Sequence, residues 1–312
     1  MFLGGYRPEG GIISLPANRE YLSSEQGLRR AAEEGVILEA MAVRCDSDFR
    51  LTVELGCMRG YISKEDAQYT PEEPVRDIAV ITRVGKAVCF KVTGFFTENG
   101  KTAARLSRKE AQRECCETYL SSLIPGDVID AKVTHLENFG AFVDIGCGIV
   151  SLLSIDCISV SRISHPSDRF SVGDRIKVII KSIDSENRRI FVTHKELLGT
   201  WEQNAALFEA GQTVAGIVRS IEDYGIFVEL TPNLAGLAEY RDDITVGQTA
   251  AVYIKNIIPE RMKIKLVLID SYRGEGEPAR KVSGYSDSVS HIDIWQYSPS
   301  VCPRVIETVF EQ

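Results

Sequence analysis

The chain has 312 residues and a net charge of −8 at neutral pH. Hydrophobic residues make up 44% of it and charged residues 26%, which are ordinary proportions for a globular protein. No stretch stays apolar for the roughly 18 residues that a membrane-spanning helix needs, and the length allows two or three domains. The acidic balance excludes a protein that coats nucleic acid by bulk positive charge, so any contact with phosphates must be local.

The start of the chain and its cysteines indicate a reduced, intracellular protein. Residues 1–11 lack the basic start and unbroken apolar stretch of a signal peptide, so we expect a cytoplasmic location. The eight cysteines include no Cys-x-x-Cys pair and come with no histidine pair at metal-ligand spacing. We therefore interpret them as reduced thiols and expect neither a metal nor another cofactor.

The first predicted element is a helix that runs to about Glu34. Ser23 is its candidate N-cap, and Gln26 follows three residues later in the capping-box position. This helix precedes the first predicted strand.

The remainder of the chain repeats one pattern three times. Residues 125–145 match residues 210–230, and the sequences Asn-Phe-Gly-Ala-Phe-Val and Asp-Tyr-Gly-Ile-Phe-Val stand at the same place in the two copies. A more degenerate copy lies in residues 35–56. The sequence therefore predicts three similar modules.

Each module is predicted to form a small closed barrel of short strands. In the middle copy, apolar runs bounded by Gly, Asn and Asp turns predict strands at residues 128–133, 139–145, 149–153, 176–183 and 190–192. Strong helix formers predict linking helices at residues 110–120 and 196–208. The predicted fold class is mainly β, with three tandem five-stranded antiparallel barrels joined by short helices and a C-terminal extension.

The domain boundaries follow from these elements. We assign an N-terminal segment to residues 1–34, the first barrel to 35–109, a linker helix to 110–123, the middle barrel to 124–197, a second linker helix to 198–210, the third barrel to 211–270, and a linker with a strand-like C-terminal segment to 271–312. Residues 271–290 are rich in Gly, Ser and charge, which indicates a mobile linker. We expect Trp295 and Tyr297, beyond it, to pack against the third barrel.

The second strand of the middle module carries an outward-facing aromatic residue. Because side chains alternate along a strand, Phe142 faces outward when its neighbours Ala141 and Val143 face the core. Phe139 would point inward in a regular strand, but Gly140 permits a bulge that brings both rings to one face. The alternative, that both rings only cap the core, stays open.

The third module repeats this arrangement with Tyr224 and Phe227. Aromatic rings on a barrel face suit single-stranded nucleic acid, because every base offers a π-face for stacking. His135, close to Phe139 in the sequence, is a further candidate contact, or else a polar residue at a strand end.

The last strand of each module supplies cations. Arg188 and Arg189 follow a turn that begins at Asp184, and Lys263 and Lys265 hold the equivalent face of the third module. Phosphates need such cations near the stacked bases. For each cation alone, a solvated surface charge is the competing interpretation.

These residues resemble a known family, the S-one (S1) RNA-binding domain. The resemblance covers residues 124–197 and is closest to the repeats of the bacterial ribosomal protein S1 family; it rests on the Asn-Phe-Gly-Ala-Phe-Val-Asp-Ile-Gly motif, the His-Pro-Ser loop at residues 165–167 and the Glu-Asn-Arg-Arg turn at residues 186–189. The third module is also similar, the first only in outline, and residues 271–312 not at all.

The resemblance implies an OB-type barrel and an RNA-contacting surface at Phe139, Phe142, Asp184 and one of Arg188 or Arg189. Ser154 replaces a histidine that is common in the third strand of the family. In the first module Thr52 replaces the second aromatic residue, so we expect that copy to bind RNA weakly and to serve as a scaffold or partner surface.

The sequence holds no catalytic motif of the kinds that can be recognised locally. Phosphate-loop, nucleophile-elbow and His-Glu-x-x-His patterns are absent, so we predict a protein that is not an enzyme. The predicted ligand is single-stranded RNA, either messenger or small RNA, with the small ribosomal subunit as a candidate partner in translation or RNA metabolism. The alternative is a protein-interaction scaffold of degenerate barrels that docks to a ribosomal or RNA-processing partner.

Overall fold

The computed structural model describes residues 6–70, 74–98, 100–184, 186, 189–272 and 289–311. The chain divides into two compact units. One comprises residues 1–123 with 130–132 and 144–150, and the other comprises residues 124–129, 133–143 and 151–312. Within the described ranges, no helix is both long enough and apolar enough to cross a membrane.

Two helices precede the first barrel, where the sequence predicted one. Helix α1 spans Pro16–Leu22 and α2 spans Glu25–Glu34. The predicted cap was wrong by one residue: the hydroxyl of Ser24 accepts the hydrogen bond from the N–H of Gly27, while Ser23 donates its hydroxyl to the carbonyl oxygen of Glu20. Ser24 has the extended backbone that an N-cap needs, and Ser23 is already committed to the end of α1.

The first barrel closes around an apolar core. Its strands are β1 (Leu38–Cys45), β2 (Leu51–Glu54), β3 (Arg59–Ile62), β4 (Ala87–Glu98) and β5 (Lys101–Ser107), with the short helix α3 (Asp77–Ile81) between β3 and β4. The strands are hydrogen-bonded in the order β1-β2-β3-β5-β4. Leu38, Leu51, Ile62, Phe90 and Leu106 are fully buried, and Leu28 of α2 packs into the same cluster.

Two buried carboxylates fix the segment ahead of α1. Glu39 of β1 accepts hydrogen bonds from three backbone N–H groups, those of Gly10, Ile12 and Ile13. Arg108 donates to both carboxylate oxygens of Glu9, at 2.6 and 3.1 Å. Burial raises the pKa of Glu39 to about 7 in spite of its three donors.

The middle barrel contains β6 (Val128–Glu137), β7 (Gly140–Asp144), β8 (Val150–Ser154), β9 (Arg175–Asp184) and β10 (Arg189–Thr193). It closes in the order β10-β8-β7-β6-β9. Ala141, Val143 and Ile145 are buried, as the alternation in the sequence predicts.

The third barrel contains β11 (Thr213–Glu222), β12 (Gly225–Thr231), β13 (Leu234–Ala238), β14 (Thr249–Ile258) and β15 (Lys263–Tyr272). Its order, β11-β12-β13-β15-β14, is the same as that of the first barrel. Three closed five-stranded barrels confirm the predicted fold class, with the one difference that the third and fifth strands of each barrel pair in parallel.

The linkers differ from the predicted uniform helices. Helix α4 (Arg108–Glu114) continues as a π-helical turn at Cys115–Tyr119 and a 3-10 turn at Leu120–Ser122. The second linker was predicted as a helix over residues 196–208, but α5 spans only Trp201–Ala205. Gly199, with φ +83°, separates it from a preceding 3-10 turn, and Thr200 and Gln203 form a capping box that starts α5 at this point.

The C-terminal segment forms a two-stranded sheet of β16 (Ile294–Gln296) and β17 (Glu307–Val309). Trp295 and Tyr297 belong to the core cluster of the third barrel, which confirms the predicted packing. The hydroxyl of Tyr297 donates to the carbonyl oxygen of Asn233 at 2.6 Å. Of the linker predicted at residues 271–290, residues 271 and 272 complete β15, and residues 273–288 lie outside the described residues.

Candidate nucleic-acid interface

Three rings lie together on the outer face of the middle barrel. Phe139, just before β7, is 55% exposed, and its ring stands perpendicular to that of half-buried Phe142 with 6.0 Å between centroids. His135 of β6 lies nearly parallel to Phe142, at 6.3 Å and 26°. The structure thus brings the two predicted phenylalanines to one face and adds the predicted histidine beside them.

Position 140, between the two phenylalanines, requires a glycine because β7 approaches β8 very closely there. A Cβ atom at Gly140 would lie 2.4 Å from the carbonyl oxygen of Leu153. Gly225, at the start of β12, has the same restriction: a Cβ there would lie 2.4 Å from the carbonyl oxygen of Ala238. The glycine between the two aromatic positions is therefore a requirement of backbone packing in both barrels.

The third barrel repeats the aromatic geometry. Tyr224 is 69% exposed, and its ring stands perpendicular to that of Phe227 at 6.1 Å between centroids. Two barrels thus present the same perpendicular pair at the start of the second strand. An exposed pair can offer its free ring face to a base.

The predicted cations lie along the last strands. Arg189 is exposed and stands opposite half-buried Asp184 in the β9–β10 pairing. Lys263 and Lys265 are both exposed on β15. Arg188 lies outside the described residues.

Strand register shows how Lys265 relates to the aromatic face. Phe227 of β12 pairs with Leu237 of β13, and Leu237 pairs with Lys265 of β15. These side chains form one row across three strands of the third barrel. The row joins an aromatic residue to a cation through an apolar residue.

Sequence reasoning missed Phe191, which occupies the position of Lys265 in the middle barrel. Phe191 of β10 pairs with Leu152 of β8, as Lys265 pairs with Leu237. The alternation of side-chain direction along β10 could have revealed it, because Phe191 stands two residues after outward-facing Arg189. The middle barrel therefore offers a larger apolar face than predicted.

The described part of the chain contains no cluster of three or more His, Cys, Asp or Glu side chains that could hold a metal ion. The candidate interface is built from aromatic rings and a few cations. Such a surface can stack planar groups and contact phosphates.

Comparison with known proteins assigns the middle barrel to a family. Residues 122–195 match the model of the S1 RNA binding domain. The middle barrel is an S1 domain. A small ribosomal subunit protein bS1 from Staphylococcus aureus is 34% identical to this chain over 192 residues, which are 60% of this chain and 47% of that protein. The chain thus spans about half the length of this relative.

Two further matches are to a protein of another name and to a solved structure. A 4-hydroxy-3-methylbut-2-enyl diphosphate reductase from Clostridium acetobutylicum is 30% identical over 199 residues, which cover 59% of this chain and 31% of that protein. A crystal structure of a multidomain protein with nucleic acid binding domains from Streptococcus pneumoniae covers 75% of this chain and 73% of that chain, at 16% identity and a TM-score of 0.24.

Proposed function

We propose that this chain is a non-catalytic protein that binds single-stranded RNA through the aromatic face of its S1 domain. The observation that carries the proposal is the recurrence of one perpendicular ring pair, at 6.0 Å in the middle barrel and 6.1 Å in the third. Rings that only capped a core would be buried, whereas Phe139 and Tyr224 are largely exposed. Stacking of a base on such a ring contributes about 1–3 kcal/mol.

Phosphate contacts come from the last strands in this proposal. Arg189 beside Asp184 serves the middle barrel, and Lys263 and Lys265 serve the third. His135 extends the stacking surface beside Phe142, and Phe191 adds a ring opposite Leu152 of β8. The small number of cations makes stacking the larger source of affinity.

The names of the ribosomal relatives support a role in translation. On this proposal the ligand is messenger or small RNA in the cytoplasm, and the small ribosomal subunit is the partner to test. The reductase relative is matched over less than a third of its length. The recurring aromatic pairs and nearby cations are features of a binding protein.

The test is a fluorescence-anisotropy titration of labelled single-stranded RNA with the wild type and a Phe139→Ala/Phe142→Ala variant. We expect the wild type to bind, and the variant to lose about 2 kcal/mol or more because two stacking surfaces are removed. RNA duplex of the same sequence should bind more weakly, because its bases are already stacked on each other.

The matched control is Tyr253→Ala/Tyr272→Ala, which removes two exposed rings from β14 and β15. It should bind like the wild type if stacking is specific to the proposed face. Equal losses in both double variants would reject that face. Absence of wild-type binding at low salt would reject RNA as the ligand and favour a protein partner.

A further inference from the structure

The first barrel carries an aromatic residue on its outer face, one strand away from the position that the other barrels use. In the third barrel, β-sheet register aligns Ser220, Phe227, Leu237 and Lys265 in one row. In the first barrel, the same register aligns Arg44, Thr52, Tyr61 and Arg105. The β2 position has lost its ring, and the β3 position has gained one.

This exchange suggests an alternative to the interpretation of Thr52 as the mark of a degenerate surface. Tyr61 stands directly opposite Thr52 in the β2–β3 pairing. Its ring contacts Phe96 of β4, at 5.8 Å between centroids. The aromatic character of the face is therefore kept, although its position has shifted to the neighbouring strand.

A guanidinium group covers the ring of Tyr61. The Cζ atom of Arg50 lies 4.5 Å from the ring centroid, and ion pairs with Asp46 at 3.1 Å and Glu98 at 3.0 Å hold Arg50 in place. Tyr61 is only 8% exposed as a result, whereas 40% of the Arg50 side chain is exposed. Bases in single-stranded RNA stack on guanidinium planes as well as on aromatic rings.

This face forms one wall of an open groove of about 960 Å³, near the upper end of the range for small-ligand sites. The groove is lined by, among others, Arg44, Arg50, Thr52, Arg59, Tyr61 and Lys101. A stacking platform and several cations therefore share one concave surface.

Most of the carboxylates in the groove are engaged by cations. Four cations and four carboxylates line it. Asp46 and Glu98 both pair with Arg50, and Glu25 pairs with Arg29 on α2 at 2.6 Å. Arg29 balances Glu25, and Arg50 balances one of its two carboxylates, so these ion pairs leave one net negative charge.

The remaining charges favour an anionic ligand. Besides Glu54, the groove is lined by three exposed cations, Arg44, Arg59 and Lys101. Arg105, which stands opposite Tyr61 in the β3–β5 pairing, adds a cation on the same face, with its Cζ atom 5.9 Å from the ring centroid of Phe96. The part of the surface that a ligand can reach is thus positive, although the chain as a whole is acidic.

We propose that this groove is a second single-stranded RNA site, in which a base stacks on Arg50 above Tyr61 and phosphates contact Arg44, Arg59 and Lys101. The inference rests on the proposed function of the S1 domain, because it assumes that the same RNA passes over both surfaces. It gives the first barrel a defined RNA site, where the sequence predicted weak RNA binding and a scaffold or partner surface.

The first experiment is photo-crosslinking of the full chain to RNA that contains 4-thiouridine, followed by mass-spectrometric mapping of the labelled peptides. We expect label on the peptide that contains Tyr61 and on the peptide that contains Phe142. Label on the Phe142 peptide alone overturns the second site and leaves the proposed function intact. Absence of RNA binding by the wild type overturns both.

The second experiment compares Arg44→Gln/Arg59→Gln with a charge-matched control, Arg76→Gln/Arg113→Gln, whose exposed arginines do not line the groove. For RNA of about 30 nucleotides, long enough for two sites, we expect the groove variant to bind about tenfold more weakly. Its log-log salt slope should be shallower by about 1.4, since each phosphate contributes about 0.7. The control should match the wild type.

Two further results distinguish the loss of a specific RNA site from a general loss of positive charge and from misfolding. RNA of about 6 nucleotides, which one barrel can hold, should bind the groove variant and the wild type equally. Tyr61→Leu introduces the residue that the third barrel carries at this position, Leu237, so it should fold while losing the Tyr61-peptide crosslink. Equal binding of long RNA by the groove variant and its control would overturn the inference.

Discussion

A single buried histidine illustrates how the barrel interior responds to pH. His194 follows β10, is 1% exposed, and donates its Nδ1–H to the carbonyl oxygen of Lys177 at 2.8 Å. Its ring meets the edge of Phe170 at 5.2 Å. Burial lowers the pKa of His194 to about 4, because the charged imidazolium would lose its hydration.

His194 should therefore make the stability of its unit depend on pH. An unfolded histidine titrates near 6.5, so between about pH 6.5 and 4 the unfolded chain binds the extra proton and the folded chain does not. The stability contributed by neutral His194 is complete above that window and is lost as the pH falls through it. The expected loss is on the order of 3 kcal/mol by pH 4.

The measurement is urea unfolding at pH 7 and pH 5, with the wild type compared to His194→Gln. Trp201 and Trp295, both buried in the unit that contains His194, provide the fluorescence signal. The difference in unfolding free energy between the two proteins should shrink on acidification. The opposite slope that Glu39 contributes is common to both proteins and cancels. A constant difference would show that His194 does not titrate in this range.

At the scale of elements, two barrels carry a buried acidic residue at the same position of their second strand. Asp144 ends β7, and its carboxylate accepts hydrogen bonds from the N–H groups of Glu9, Gly146 and Gly148. Glu229 is the equivalent residue of β12, and both acids are almost completely buried. Each acid ties a loop or segment to its strand instead of facing solvent.

Glu229 lies at the centre of a buried charge cluster. Arg169 contacts it at 2.5 Å and Arg219 at 2.8 Å, and Arg219 also pairs with Asp168 at 3.2 Å. The cluster joins the loop at residues 168–169 to the third barrel within one unit. A buried ion pair is costly to break from one side, since the remaining charge is left unpaired.

We expect Arg169→Met to destabilise this unit by about 1–3 kcal/mol, because Glu229 loses one buried partner and keeps Arg219. The double variant Arg169→Met/Glu229→Leu should cost less than the sum of the two single variants, because it leaves no orphan charge and keeps the pair of Arg219 with Asp168. A double-mutant cycle in urea, read by tryptophan fluorescence, measures this coupling. Strict additivity would mean that the two side chains do not stabilise each other.

The strands could be predicted from the sequence, and the charge cluster could not. Alternation around Ala141 and Val143 is a local signal, so the strands of the middle barrel were located to within a few residues. Arg169 and Glu229 are 60 residues apart, and nothing local indicates that a loop arginine meets a strand glutamate. The buried position of Glu229 between Val228 and Leu230 was the available hint.

The second linker shows where helix propensity alone fails to predict the length of a helix. Helix formers in residues 196–208 predicted one long linker, but Gly199 and the capping box at Thr200 confine α5 to five residues. At the candidate site, Phe139 and Phe142 were found from alternation and a glycine, whereas Tyr61 was overlooked. Its significance appears only when the register of β3 with β2 and β5 is known.

On the scale of the whole molecule, three barrels on one chain suit a ligand that is long and flexible. Once one barrel holds an RNA segment, neighbouring segments are presented to the other barrels at high effective concentration. Weak sites can then give useful affinity together, provided that the RNA reaches from one to the next. On the proposed function, exposed Tyr224 and half-buried Phe227 would give the third barrel a part in this binding.

Because the molecule is acidic, the salt dependence of its RNA affinity can distinguish base stacking from electrostatic coating of the RNA. With a net charge of −8 and few cations on each face, we expect a log-log salt slope of only about −1 to −3 for RNA of about 6 nucleotides, which one barrel can hold, since each phosphate contact contributes about −0.7. Anisotropy titrations of single-stranded RNA over a range of salt concentrations measure this slope.

Phe139→Ala/Phe142→Ala should weaken binding at every salt concentration while leaving the slope unchanged, because rings release no counterions. A steep wild-type slope, or a slope that flattens when the rings are removed, would mean that phosphate contacts supply most of the affinity.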